Sequence, residues 1–330
     1  MKRKRILSGM RPTGNLHLGH LVGALNNWTG LQDKYDCFFM VADWHALMSE
    51  YEKPSNIKKN SFEIVKDWIS CGIDPRRSVI FVQSMIPEHL ELAMVFGLLT
   101  PLGWLERCPT YKEQLREIKG RTLATFGFLG YPVLQAADIA LYNAAVVPVG
   151  KDQLHHLELA REIIRRFHGL YKKKIFVEPE PMLAKASRLV GLDNRKMSKS
   201  YGNFISLVDT PEVVKKKVFS MYTDPNRVSA DVPGNVEGNP VFIYHDLFNP
   251  DKAEVDDLKI RYKAGKVGDV EVKEKLTKAL NDYLDPIREK RASLSDADVE
   301  EIIKEGSGKA KKVAHETMGK VRECLHQIVN

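Results

Sequence analysis

Short apolar segments alternate with longer amphipathic ones through the first half of the chain, and this alternation limits the fold more than any other feature. Ile6–Ser8, Cys37–Ala42, Val79–Gln83 and Val146–Val149 are compact, β-branched or aromatic, and end at polar, Gly or Pro positions, as strands do. Between them, Leu18–Gln32, Asn56–Ser70, Glu88–Leu99, Tyr131–Tyr142 and Gln153–Phe167 carry apolar residues at helical spacing. Strands that alternate with helices imply a parallel sheet covered on both faces, and the unbroken apolar run Cys37-Phe38-Phe39-Met40-Val41 fits that burial. The expected class is α/β, a Rossmann-like doubly wound parallel sheet followed by an all-helical C-terminal part. Ligands in such sheets bind beyond the carboxyl ends of strands. That directs attention to Ser8–Asn15, Asp43–His45, Gln83–Ser84 and Gly150–Gln153.

After about Leu170 the texture changes. Phe176–Lys185 is Pro-rich and Ser187–Asn203 polar; Pro211–Tyr222, Lys273–Ser293 and Asp296–Ile328 then read as helices, with a Gly-, Pro- and Asp-rich loop over Thr223–Pro240. The expected division is a catalytic domain over 1–190 and a helical domain over 191–330, which a chain of 330 residues can support with a large core. No apolar run is long enough to span a bilayer. The basic start Met1–Arg5 leads straight into Ser8, Gly9 and Arg11 without an apolar signal core, so a cytoplasmic location is expected.

Cys37, Cys71, Cys108 and Cys324 are scattered, so reduced thiols are expected and no zinc or iron–sulfur site follows from their spacing. The net charge of +7 favours a polyanionic partner. Lys172–Lys174, Lys215–Lys217 and the tail with Lys309, Lys311, Lys312, Lys320 and Arg322 read singly as solvated helix faces and together as a nucleic-acid surface.

Two tetrads carry the chemistry. His17-Leu18-Gly19-His20 follows the first strand and a turn containing Gly9 and Gly14, and it opens a helix. Unpaired N–H groups at a helix start stabilise phosphate, and two imidazoles there can donate to phosphate oxygens. Lys196-Met197-Ser198-Lys199, followed by Ser200, lies in the polar stretch and offers mobile ammonium groups that neutralise departing pyrophosphate together with Mg2+. Taken alone, the first is weakly specific and the second reads as surface loop. Together they read as two halves of an ATP site that activates a carboxylate.

These tetrads resemble those of class I aminoacyl-tRNA synthetases. Ser8-Gly-Met-Arg-Pro-Thr-Gly14, Tyr131-Pro-Val-Leu-Gln-Ala-Ala-Asp138-Ile139, Val147-Pro-Val-Gly150-Lys-Asp152-Gln153 and Arg195-Lys-Met-Ser-Lys-Ser-Tyr-Gly-Asn203 resemble the tryptophanyl-tRNA synthetase pattern over nearly the whole chain. The resemblance implies activation of L-tryptophan by ATP with Mg2+, transfer to tRNA(Trp), a homodimer and no membrane partner. His17, His20, Lys196 and Lys199 would act in catalysis. ATP would meet Arg11, Pro12, Thr13, Gly19, His20, Gly150, Lys151, Asp152, Leu189, Lys196, Met197, Ser198, Lys199 and Ser200. Asp138 would accept the indole N–H, with Tyr131, Gln135, Gln153, His45, Gly9, Leu7, Val41 and Val147 around the amino acid. No protein nucleophile is implied, because the tryptophan carboxylate itself attacks the α-phosphate.

The segment Leu102–Thr125 would lie near the acceptor stem and the dimer interface, and the helical part would meet the anticodon. Relatives carry Glu where this chain has Lys151, many carry Met at Gln135, and many carry Phe at Leu7. The cysteines that hold an iron–sulfur cluster in some relatives are replaced around Asn239, Tyr262, Asp269 and Val272, so no cluster is expected. The alternatives are a tyrosine-specific enzyme, an adenylyltransferase of small cofactors and a non-catalytic RNA-binding or regulatory paralogue.

Overall fold

The computed structural model describes residues 3–109, 111, 124–183, 189–224, 227 and 229–326, with the side chains of Asp152 and Ser200 outside that description. Most of the segment expected near the acceptor stem, residues 110 and 112–123, therefore lies outside the described residues.

Five strands, β1 (Arg5–Met10), β2 (Asp36–Val41), β3 (Ser78–Val82), β4 (Val146–Val149) and β5 (Glu180–Leu183), form one parallel sheet in the order β3-β2-β1-β4-β5. Helix α1 opens as an α-turn (Leu18–His20), passes through a π-helical segment (Leu21–Leu25) and closes as α-helix (Asn26–Leu31). Then come α2 (Asp43–Glu50), α3 (Ile57–Ser70), α4 (Glu88–Leu99), α5 (Leu102–Glu106), α6 (Phe126–Leu129), α7 (Tyr131–Leu141) and α8 (Leu154–Tyr171). Beyond the sheet lie α9 (Pro211–Phe219), α10 (Pro240–Phe248), α11 (Lys252–Lys263), α12 (Asp269–Ala292) and α13 (Asp296–Cys324).

Strand alternation divides the core into two layers. Ile6, Cys37, Phe39, Val41 and Ile80 face α1, α3 and the helices after residue 210, packing on Leu21, Trp28, Trp68 and Phe242. Leu7, Phe38, Met40, Phe81 and Val147 face the other way, onto α4, α7 and α8. Register keeps each layer together, since Leu7 lies opposite Phe38 and Gly9 opposite Met40. The order of the strands reverses between β1 and β4, and a crevice opens there at the carboxyl ends.

Helix α13 comes back from the helical part and covers the free edge of β3. Gly306 sits so close that a Cβ there would stand 1.8 Å from the Ile80 carbonyl oxygen. The Val82 N–H donates to Ser307 Oγ at 3.3 Å, so the edge strand is both masked and partly satisfied. Val299 and Ile303 enter one core layer and Ala310, Ala314, Met318 and Val321 the other. One helix thus clamps both faces of the sheet.

The expected strands and sheet helices are present within a few residues. Strand β5 falls inside the stretch read as a Pro-rich connection. Among the described residues it pairs with β4 alone, and Pro181, which has no N–H to give, is tolerated at an edge. Helices α10 and α11 were not expected. In α10, Pro240-Val-Phe-Ile-Tyr-His-Asp-Leu-Phe248 is apolar nearly all round, so it lacks an amphipathic period.

Candidate active site

The crevice between β1 and β4 contains a cavity of about 700 Å³. Its floor is the backbone and side chains of Leu7–Arg11 and Val147–Gly150; α1 contributes His20, Gly23, Ala24, Asn27 and Trp28 at one end. Tyr131, Gln135, Asp138 and Ile139 of α7 line the other end, with His45, Met48 and Phe128. A Cβ at Gly9 would lie 2.5 Å from the Met40 carbonyl oxygen, so only glycine lets β1 and β2 approach this closely here.

Asp138 is the electrostatic centre of the second end. Its side chain is 2% exposed. His45 Nε2 stands 2.8 Å from Oδ2, while His89 Nδ1 and Gln83 Nε2 stand 2.6 and 2.8 Å from Oδ1. Burial pushes the carboxyl group up, but the hydrogen bonds of His45 and His89 and their charges outweigh it and bring the group down to about 2. Three donors occupy part of a carboxylate's capacity of about four acceptor sites, leaving room for one more N–H from the cavity. His89 reaches on to the Tyr142 hydroxyl at 2.7 Å, which fixes the ring.

The two tetrads meet at the opposite end. His17 caps α1, its Nδ1 accepting from the Gly19 N–H at 3.1 Å, and His20 Nδ1 accepts from the His17 N–H at 3.3 Å. These bonds assign the proton of each neutral ring to Nε2, a donor suited to phosphate oxygen. Burial lowers His17 to about 4, with Lys199 adding to the effect. It lowers His20 to about 3, helped by His17 and Lys199. Both rings are therefore neutral at neutral pH.

Lys199 Nζ donates to the Gly14 carbonyl at 2.9 Å, and burial brings its ammonium down to about 8. Met197 lies over Gly19, where a Cβ would meet Met197 Sδ at 2.8 Å. Backbone bonds from Leu18 N to the Ile205 oxygen (3.1 Å) and from Leu207 N to the Leu16 oxygen (3.0 Å) join the two chain segments.

Asn203 supports the second tetrad from within. It is 5% exposed. Its Nδ2 donates to Asp193 Oδ1 at 2.7 Å and to the Lys196 carbonyl at 3.1 Å, and its Oδ1 accepts from the Ser198 N–H at 2.9 Å. Asn203 closes the Lys196–Asn203 stretch into one loop, a role that its place in the motif did not reveal. Gln83 and His89 were likewise missed, although Gln83 sits at a strand end already marked for ligand binding.

The cavity gathers Leu7, Gly9, His45, Tyr131, Gln135, Asp138, Val147 and Gln153 of the expected amino-acid residues, and Arg11, His20 and Gly150 of the nucleotide ones. Val41 is a correction. It is fully buried in the opposite core layer, because Met40 and Ala42 take the cavity side of β2 and alternation turns Val41 away. Leu189 also differs: its side chain is packed into the core, leaving only its backbone for a nucleotide. Pro12 and Thr13 form a tight turn beside the cavity, the Thr13 N–H meeting the Arg11 oxygen at 2.9 Å. Lys151 and Lys196 are exposed, and Ser200 lies in the short 3-10 turn Lys199–Tyr201.

A doubly wound sheet with a histidine pair at the first helix and a lysine loop closing on it defines a class I aminoacyl-tRNA synthetase. The sequence model described as tRNA synthetases class I (W and Y) matches residues 1–285. The chain is 47% identical to the tryptophan–tRNA ligase of Borreliella burgdorferi over 98% of this chain and 94% of the relative. It is also 47% identical to that of Thermotoga maritima over 98% and 99%. The crystal structure of the Campylobacter jejuni tryptophanyl-tRNA synthetase, complexed with ADP and tryptophan, superposes with a TM-score of 0.90 at 36% identity, covering 98% of this chain and 99% of that one. The chain belongs to the tryptophanyl-tRNA synthetase family.

Proposed function

We infer that this chain activates L-tryptophan with ATP, releasing pyrophosphate, and passes the tryptophanyl group from the adenylate to the 3′-terminal ribose of tRNA(Trp). The observation that carries this reading is Asp138, a buried carboxylate kept charged by three donors with acceptor capacity left for an indole N–H. An amino acid without that N–H would leave it unpaired, which gives strong discrimination.

The tryptophan carboxylate attacks the α-phosphate, so the protein contributes position and charge. Neutral His17 and His20 donate to phosphate oxygens, and Lys196 and Lys199 neutralise the departing pyrophosphate. Mg2+, if carried in with the ATP, would supply further positive charge against the departing pyrophosphate. Among the described residues, the groups the two tetrads present there are the imidazoles of His17 and His20 and the ammonium of Lys199, which suits an ion carried in by the nucleotide. Asp152 would take the ribose hydroxyls and Gln153 the polar end of tryptophan.

Two coarser features complete the proposal. Residues 191–330 would meet the anticodon arm through basic helix faces, with salt-dependent affinity. A homodimer is supported by exposed apolar side chains on α4, α5 and α6: Leu90, Met94, Leu98, Leu102 and Phe126, the last exposed to 91%. Tyr262 and Asp269, where cluster-binding relatives have cysteines, are engaged with each other at 2.9 Å and with Arg227, which stacks 3.9 Å from the Tyr262 ring.

The decisive test is ATP–pyrophosphate exchange with each amino acid. Exchange with tryptophan and not tyrosine is expected; failure with tryptophan would overturn the reading. Lys151 adds a phosphate or tRNA contact in place of the usual Glu, and unchanged ATP and tRNA KM values in Lys151→Glu would refute that part.

A further inference from the structure

The spacing of the four cysteines argues against a metal site, but spacing says nothing about histidines that folding brings to a cysteine. Cys108 lies just beyond α5, and His155 and His156 lie in the first turn of α8. One ligand atom from each of the three falls within 4.8 Å of the others. Cys108 and His156 are buried, whereas His155 is half-buried and borders a second cavity of about 330 Å³.

The donor set and its geometry suit zinc. Zn–S and Zn–N bonds of about 2.3 and 2.0–2.1 Å at a tetrahedral angle put S and N about 3.6 Å apart. Cys108 Sγ and His156 Nδ1 are 3.7 Å apart. His156 Nε2 stands 3.1 Å from the Tyr131 hydroxyl; with Nε2–H donating there, Nδ1 turns its lone pair toward Cys108. This is the arrangement in which a metal-ligating histidine is oriented through its second nitrogen. The thiol, once deprotonated, is the soft ligand that selects zinc over magnesium or calcium.

We propose that Cys108, His155 and His156 form a three-ligand site for Zn2+, water completing the tetrahedron. On binding, the Cys108 S–H proton leaves to solvent, the thiolate and two neutral imidazoles form the bonds to the metal, and no redox change occurs. The second cavity supplies the route by which the ion enters. The site ties the chain after α5 to the start of α8. His156 itself lines the tryptophan cavity and holds Tyr131, so the ion would stiffen one wall of that cavity.

The test uses the full-length protein, stripped with a chelator and titrated with Co2+. One Co2+ per chain is expected, with a thiolate-to-cobalt charge-transfer band and the intense visible bands of tetrahedral cobalt, both removed by one equivalent of Zn2+. Losing a second-shell partner commonly weakens metal binding about 10–100-fold, so loss of a direct ligand in Cys108→Ser or His155→Ala should weaken Zn2+ binding at least about a hundredfold. A measurement on the unaltered chain guards against a misfolded variant. Zn2+ should slow alkylation of Cys108 at least about tenfold relative to Cys71 and Cys324 in the same molecule. A weak octahedral cobalt spectrum, a thiolate band that persists in folded Cys108→Ser, or alkylation of Cys108 indifferent to Zn2+ would each overturn the proposal. None of these readouts depends on the identity of the amino acid that the enzyme activates.

Discussion

His89 Nδ1 stands 2.6 Å from Asp138 Oδ1, so a side chain absent from the cavity wall fixes one that forms it. In the proposed function, selectivity at this end rests on a carboxylate held by His89 and Gln83 as well as by His45. Asp138→Asn should lower kcat/KM for tryptophan roughly a hundredfold, equivalent to about 2.7 kcal/mol, while the KM for ATP stays within a few-fold. His89→Phe, which removes a positioning group, should raise the tryptophan KM more than it lowers kcat. Tryptophan-dependent pyrophosphate exchange measures both, and an Asp138→Asn enzyme with wild-type tryptophan kinetics would contradict the assignment.

Gly19 and Met197 are the point where the tetrads touch. In Gly19→Ala the new methyl group meets Met197 Sδ at 2.8 Å and the His17 ring at 3.0 Å. The methionine end can yield, whereas the ring is bound to the Gly19 N–H, so a cost near 1 kcal/mol, about fivefold in adenylate formation, is expected. Met197→Ala in the same chain should recover part of the loss. Single-turnover kinetics would decide, and strictly additive effects would mean that the two residues do not interact.

The pH behaviour follows from three depressed pKa values. In the proposed mechanism Lys199, near 8, carries the charge that meets pyrophosphate, so in the free enzyme the ATP KM should rise as pH increases through about 8. In Lys199→Arg this alkaline limb should disappear, since arginine stays protonated. His17 and His20 titrate lower in the folded chain than when unfolded, so the unfolded state binds protons first. Their contribution to stability is complete above about 6.5 and is lost as pH falls toward about 4 and about 3. Thermal unfolding between pH 7 and 4 should show Tm falling, and less steeply in His20→Gln.

Arg291, at the end of α12, reaches across to α3, its Nε donating to Asp67 Oδ1 at 2.7 Å, while Asp67 Oδ2 accepts from the Leu16 N–H at 3.4 Å. The helical part thereby touches the residue before His17. Asp67 is 1% exposed, so Arg291→Met would strand a buried charge and should cost about 3 kcal/mol of unfolding free energy. Adding Asp67→Asn should restore much of it. A denaturation cycle over the four proteins checks this, and equal losses in the single and double variants would exclude the coupling.

Much of this site was legible in the residues because its parts are local. Strand ends, the glycine turn, His17 and His20 on one helix start, and Tyr131, Gln135 and Asp138 on one helix all follow from short-range periodicity. Which side of β2 faces the cavity was not legible: Met40 takes it, and alternation sends Val41 into the other core layer. Asn203 as the brace of the lysine loop, Gln83 and His89 behind Asp138, and Cys108 beside His155 and His156 were not legible. Each pairs residues whose approach depends on how separate helices stack.

The sequence by itself determined the alternation that makes a parallel sheet, the residues of the two tetrads and the helix that carries Asp138. These are properties of nearest neighbours along a chain, set by side-chain period and backbone preference. Only the tertiary structure decided that Met197 closes over Gly19 and that Asp138 stays ionised while buried. It alone also places α13 across the edge of β3 and a cysteine and two histidines around one point. Burial and cross-chain distance govern those outcomes, and both exist only once the layers have packed.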